Sequence, residues 1–434
     1  MSYANYPKPL DESVIKIIDE YARLKHEYGA DGVKEILSEV ASFLEKRLLK
    51  IENLGEDLEL SAKEPNGLED IKALRNPAER KLWKAFDEKL YKDRLKGALI
   101  GRFAGCTLGA PVEFWDIERM ESWAKWIGDA FPNTDYWSSI TNPDALRYGK
   151  SACHAYTREG MDGVPVDDDI TYTLLGLLIA EGHGLGFTTK QVGEAWLKYL
   201  PYACTAEDVA LKNLKRGVPA EECADIDNPY AQWIGADIRS DPFGYLAPGL
   251  PEAAAEMGYR DAYLSHRRNG IYGEMFFSAA IAAAFAYNDP LDALNAALNE
   301  IPNGCALYGD IVWALETGGS IKDYRHARSA VDEKFAGMSG VHTNNNAALA
   351  VFGLTLGRGD FDAAIGQTVA MGLDNDCTGA TVGSLFGASY GIGAIPEKWY
   401  DKFNNRVHTY MTGREEFAID DVLKRFEVLA RSMF

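Results

Sequence analysis

Six carboxylates stand out by type and spacing. Asp167, Asp168 and Asp169 run consecutively ahead of the apolar stretch TYTLLGLLIAEG, Asp374 and Asp376 open a glycine-rich stretch, and Glu113 closes another. One aspartate before a helix is favoured by the helix dipole and caps free N–H groups, and it needs no further explanation. Three in a row repel one another unless a cation compensates. Carboxylates at the ends of three helices expected to be buried therefore point to a hard divalent metal. Mg²⁺ takes near-octahedral oxygen ligands, a few of them carboxylates beside retained waters. Zinc is disfavoured, because the seven histidines are scattered and form neither HxxxH nor HExxH.

The elements that must position these acids carry a second regularity. Gly97, Gly101, Gly105 and Gly109 recur at four-residue intervals, and Gly379, Gly383, Gly387 and Gly391 do the same. Each glycine inside a helix costs roughly 1 kcal/mol against alanine, so four on one face need a compensating reason. Close backbone approach to a neighbouring helix is the usual one. If the two ladders pack antiparallel, Glu113 at the end of one comes near Asp374 and Asp376 at the start of the other. Tight core packing accounts for most of these glycines, and placing the acids is its by-product.

The rest of the chain sets the class. From about Leu95 onward the segments are long, rich in Ala and Leu, and broken by Gly and Pro, with little two-residue alternation. This predicts an all-α fold. Residues 1–90 read as a helical extension with apolar positions at helical spacing, and 91–434 as the catalytic body. With 47% hydrophobic residues the chain fills a core, and no apolar run approaches the ~20 residues of a membrane span. The opening MSYANYPKPLDESV lacks an apolar secretion region. The 65 acidic against 45 basic residues give a net charge of −20, which argues against a nucleic-acid partner. Six scattered cysteines without a CxxC pair read as reduced thiols in the cytoplasm.

The segments GALIGRFAGCTLGAPVEF, VPVDDDITYTLLGL and MGLDNDCTGATVGSLFGASYGIGAIPEKW resemble, in order and spacing, the signature regions of the ADP-ribosylglycohydrolase family, which includes the dinitrogenase-reductase-activating glycohydrolases. IGADIRSDPFG and LSHRRNGIYGEMF resemble its middle region, so the likeness covers roughly residues 95 to 400. It implies an all-α hydrolase with two Mg²⁺ ions, Mn²⁺ being the alternative, that cleaves the glycosidic bond of an ADP-ribosylated protein or a smaller ribosylated compound. In the first metal motif Thr173 fixes the register. Asp168 and Asp169 then match the acidic pair, Asp167 takes a hydroxyl's place, and Ile170 replaces a threonine. Asp374 and Asp376 match the C-terminal pair, where Cys377 replaces a hydroxyl ligand; thiols suit Mg²⁺ poorly. Glu113 matches the family's glutamate, His266 a cleft histidine, and Gly235, Ala236 and Asp237 a loop near the substrate phosphates and ribose.

The resemblance assigns Asp167, Asp168, Asp169, Asp374 and Asp376 to the metals, and Glu113 with Asp169 to catalysis by acid/base or positioning chemistry. Backbone N–H groups near Gly235 would meet a pyrophosphate. Each assignment has a plainer rival: His266 and His342 as hydrogen-bonded structural residues, and Asn344–Asn346 as a helix cap. Two other functions fit the sequence less well. An isoprenoid synthase would need DDxxD spacing, which VDDDIT lacks, and a non-enzymatic ADP-ribose-binding relative would be expected to lose the acidic pairs kept here. The oligomeric state is left open.

Overall fold

Nineteen α-helices make up nearly all the regular structure among the described residues of the computed structural model, which are 6, 7, 10 and 12–434. The all-α expectation holds. Part of the N-terminal stretch read above for secretion, Met1–Asn5 included, lies outside the described residues. Strands occur only as two antiparallel hairpins, β1 (Leu146–Arg147) with β2 (Ser151–Ala152) and β3 (Arg406–His408) with β4 (Glu416–Ala418). Among the described residues no helix is long and apolar enough to cross a membrane.

Helices α1 (Glu12–Glu27) and α2 (Val33–Glu52) bury no residue and leave Ile17, Tyr21, Ile36 and Phe43 exposed. The following segment packs onto the body, with Ile71 and Trp83 in the core and Arg75 paired to Glu300. Helices α1 and α2 of the proposed extension are therefore unburied, and its last part is not.

Two helices organise the body. Helix α3 (Glu88–Gly109) begins at Asp87, whose carboxylate accepts from the Leu90 N–H at 3.0 Å. Helix α4 (Asp168–His183) and the wholly buried α5 (Asn269–Ala284) follow, then α6 (Thr343–Leu356) and α7 (Asn375–Tyr390). Helices α3 and α7 run antiparallel with their glycine ladders face to face. A Cβ added to Gly97 would fall 2.6 Å from the Gly387 oxygen, one on Gly101 2.1 Å from that of Gly383, and one on Gly105 1.9 Å from that of Gly379. Real carbon–oxygen contacts are far longer, so the backbones touch and no side chain fits between them. The last rung, Gly109, meets Asn375 and Asp376. The ladder thus does what its spacing predicted: it brings the end of α3 to the start of α7.

Candidate active site

The chain leaves α3 through a short turn with Pro111 and reaches Glu113, and the Phe114 N–H then donates to the Leu373 carbonyl at 3.2 Å. That bond ties the glutamate to the Asp374–Asp376 segment. Phe114 has φ +59° and is 58% exposed, a strained position for an aromatic residue. From the third side comes the N-terminus of α4. Asp167 caps it, accepting from the Asp169 N–H at 3.2 Å, and Asp168 and Asp169 form its first turn.

All six acids converge, but they do not share one surface. A cavity of about 180 Å³ is lined by Glu113, Asp168, Asp374 and Asp376 together with Tyr148, Tyr172, Glu207, Trp233 and Gly235. Asp167 and Asp169 lie behind it, fully buried. Asp169 is already partnered: its Oδ1 takes Arg102 Nη2 at 3.1 Å, and the Cys377 thiol donates to its Oδ2 at 3.1 Å. Arg102, buried within the ladder helix, also donates to Asp241 at 2.6 Å and to Thr173 at 2.6 Å. Ile170 is buried and offers no oxygen.

The acids have a counter-ion that sequence reasoning missed. Arg147, at the end of β1, places Nη2 2.9 Å from Glu113, 3.0 Å from Asp167 and 3.2 Å from Asp376, while Nη1 donates to the Ala110 carbonyl at 2.6 Å. Its neighbour Tyr148 donates to Asp168 Oδ1 at 2.6 Å. Both residues sit at the tip of the β1–β2 hairpin, where Tyr148 (φ +51°) and Gly149 (φ +64°) form the tight turn. The Tyr-Gly pair between LR and KSA was the available signal for that turn.

Burial and the nearby Asp376 and Asp167 push the Glu113 carboxyl up to about 8, with Arg147 acting in the opposite direction. Burial raises Asp168, Asp374 and Asp376 well above the ordinary carboxylate range, reinforced by Asp167 at the first, Glu113 at the second, and Asp167 with Asp374 at the third. Asp374 Oδ1 is buried and has no hydrogen-bond donor.

These observations test the donor set against the expected pair of Mg²⁺ ions. Acidic groups able to hold a metal ion are present, Asp374, Asp376 and Cys377 among them. Cys106, Asp167 and Asp169 form a second such group. The Arg147 guanidinium stands among Glu113, Asp167 and Asp376 and supplies positive charge there from within the chain.

The middle region separates in the same way. Gly235 lines the cavity, and a Cβ there would strike the Glu207 carboxylate at 2.2 Å. Glu207 is itself neutralised by the buried Arg239 at 2.6 Å, which also pairs with Asp261 and Glu274. Ala236, Asp237 and His266 are buried and do not line the cavity. The His266 Nδ1 shares a hydrogen bond with Ser265 Oγ at 2.8 Å, and burial with the nearby Arg239 keeps its ring neutral. His342 caps α6, its Nδ1 accepting from the Asn344 N–H at 3.1 Å, so the cap precedes the three asparagines.

An all-α body here gathers carboxylates from three helix ends around one cavity, an acid-rich cleft of the kind that holds an active site. Residues 87–430 match the family model described as ADP-ribosylglycohydrolase, so the chain belongs to that family and is an enzyme that hydrolyses glycosidic bonds. No curated protein matches it. A solved structure described as an "ADP-ribosylglycohydrolase-related protein complex" is similar in fold. It is 20% identical, the match covers 80% of this chain and 99% of the other, and the TM-score is 0.52.

Proposed function

We propose that this enzyme removes an ADP-ribosyl group from a modified side chain such as arginine. The observation that carries the reading is that Glu113, Asp168, Asp374 and Asp376 line one cavity. Asp168, Asp374 and Asp376 would hold a divalent ion, Mg²⁺ or in its place Mn²⁺, whose chemistry is an anchored ribose diol and a polarised water. Glu113, whose carboxyl is pushed up by burial and the nearby acids and held back by Arg147, serves as the acid/base group at the departing nitrogen or oxygen. The surrounding carboxylates stabilise positive charge developing on the ribose. Asp169 acts as a positioning residue, fixing α4 through Arg102 and Cys377 without touching substrate. Phe114 and Trp233 offer aromatic faces for the adenine. The six cysteines are unpaired, in keeping with a cytoplasmic enzyme.

The cavity volume favours a second reading. At about 180 Å³ it is smaller than the roughly 300–1,000 Å³ of sites for drug-sized ligands. It suits a ribosyl group alone, so a small N-ribosyl compound is the alternative substrate. Purified enzyme with Mg²⁺ is incubated with ADP-ribosyl-arginine and with N-ribosyl compounds, and the products are separated by chromatography. Release of ADP-ribose supports the first reading, and release of ribose alone supports the second. Asp168→Asn and Glu113→Gln should each abolish turnover with unchanged melting; full activity in either overturns the assignment.

A further inference from the structure

A single nitrogen carries three ionic contacts at this site. Nη2 of Arg147 lies within 3.2 Å of carboxylate oxygens from Glu113, Asp167 and Asp376. An NH₂ group has only two hydrogens, so three anions around it mark a position selected by charge more than by hydrogen-bond direction. The three acids come from three separate elements: the exit of α3, the cap of α4 and the first turn of α7. Convergence of that kind is what a resident cation requires.

The arginine is held rigidly. Nη1 is bound to the Ala110 carbonyl at 2.6 Å, Tyr148 is fixed by Asp168, and the Tyr202 hydroxyl donates to the Tyr148 carbonyl at 2.9 Å. The Tyr148 ring also stacks on Tyr410 with centroids 5.4 Å apart. Asp169, which would otherwise serve an ion on this side, is committed to Arg102 and Cys377. The unmet demand lies elsewhere: Asp374 Oδ1, buried and without a donor, sits on the cavity wall that Asp374 shares with Asp168 and Asp376.

We propose that Arg147 is a tethered cation standing in the place of one metal ion, so that each chain takes a single divalent ion, seated at Asp374. This rests on the functional reading above only in locating the site, and it is tested without turnover. Mn²⁺ is titrated into the metal-free full-length protein, bound ions are counted by equilibrium dialysis, and their spectra are recorded by electron paramagnetic resonance. Wild type should bind one Mn²⁺ with an uncoupled six-line spectrum. Arg147→Lys, which keeps the charge, should also bind one. Arg147→Met, checked for folding by circular dichroism, should bind two and show a spin-coupled pair. Two ions or a coupled spectrum in wild type overturns the proposal, as does no bound ion, or a folded Arg147→Met variant that still binds one. If Arg147→Met does not fold, the counts for wild type and Arg147→Lys decide. A one-ion protein that hydrolyses none of the ribosyl substrates refutes the functional reading alone. A two-ion protein that hydrolyses them refutes only this proposal.

Discussion

Gly105→Ala should destabilise the protein although alanine is the better helix former. The added Cβ would lie 1.9 Å from the Gly379 oxygen and 2.4 Å from its carbonyl carbon. Both are backbone atoms within α7, so no rotamer change relieves the clash, and the two helices must separate. Overpacking of this severity costs about 3 kcal/mol, and the intrinsic helix gain of about 1 kcal/mol leaves a net loss of about 2 kcal/mol. Over residues 87–430 the entropy of unfolding is about 0.7 kcal/mol per degree, so the melting temperature should fall by roughly 3 °C. Gly309→Ala is the matched control, because this glycine lies in the helix Ala306–Gly318 and an added Cβ meets nothing within 4 Å. It should gain up to ~1 kcal/mol. Calorimetry on both variants checks the sign as well as the size. A Gly105→Ala variant that melts with or above wild type would refute backbone contact as the reason for the ladder. Helix separation also moves Glu113 away from Asp376, so turnover should fall further than stability does.

Arg102→Met leaves Asp169 and Asp241 buried without their guanidinium; a loss of about 3–5 kcal/mol is expected in denaturant titration, and an unchanged midpoint would contradict the pairing. Phe114→Gly should relieve the +59° φ, raising stability by ~1 kcal/mol, while raising KM more than it lowers kcat if the ring meets substrate. His342 supplies a pH test: burial brings its ring from the ordinary 6.5 down to about 4. The unfolded chain takes up the proton first, so stability is complete above pH 6.5 and declines as the pH falls to 4, by up to about 3 kcal/mol. His342→Asn, which keeps a capping side chain, should remove that part of the pH dependence; equal slopes for both proteins would exclude the histidine as its source.

The parts of the fold legible in the sequence were those written in periodicity. Glycines at a strict four-residue interval can face only one side of a helix, and two such ladders can satisfy each other only by antiparallel contact. From that alone Glu113 falls beside Asp374 and Asp376. The convergence of Asp167–Asp169 on the same point needed the family likeness, because no local pattern fixes where α4 packs. Gly235 was legible for the same reason, and it does line the cavity. Its neighbours Ala236 and Asp237 turn inward, a difference of side-chain direction that no sequence pattern records. His266 reads the same from sequence whether it faces substrate or core.

Arg147 was invisible for a physical reason. Its chemistry depends on a non-local juxtaposition, a two-residue strand laid across three helix ends, and nothing within ten residues of it is acidic except Asp144. A trace of it was nonetheless present in the departures. Asp167 stands where the resemblance expects a neutral hydroxyl, which adds a buried negative charge, and in the structure that charge is matched by the Arg147 guanidinium at 3.0 Å. Cys377 stands at another hydroxyl position, and its thiol turns to Asp169. An extra acid with a nearby base, and a thiol in the role of donor, are two changes with one effect: each adds a polar contact within the chain. The acidic excess therefore does not translate into metal content by counting carboxylates. Buried acids demand positive charge, and the chain supplies part of it from its own arginines.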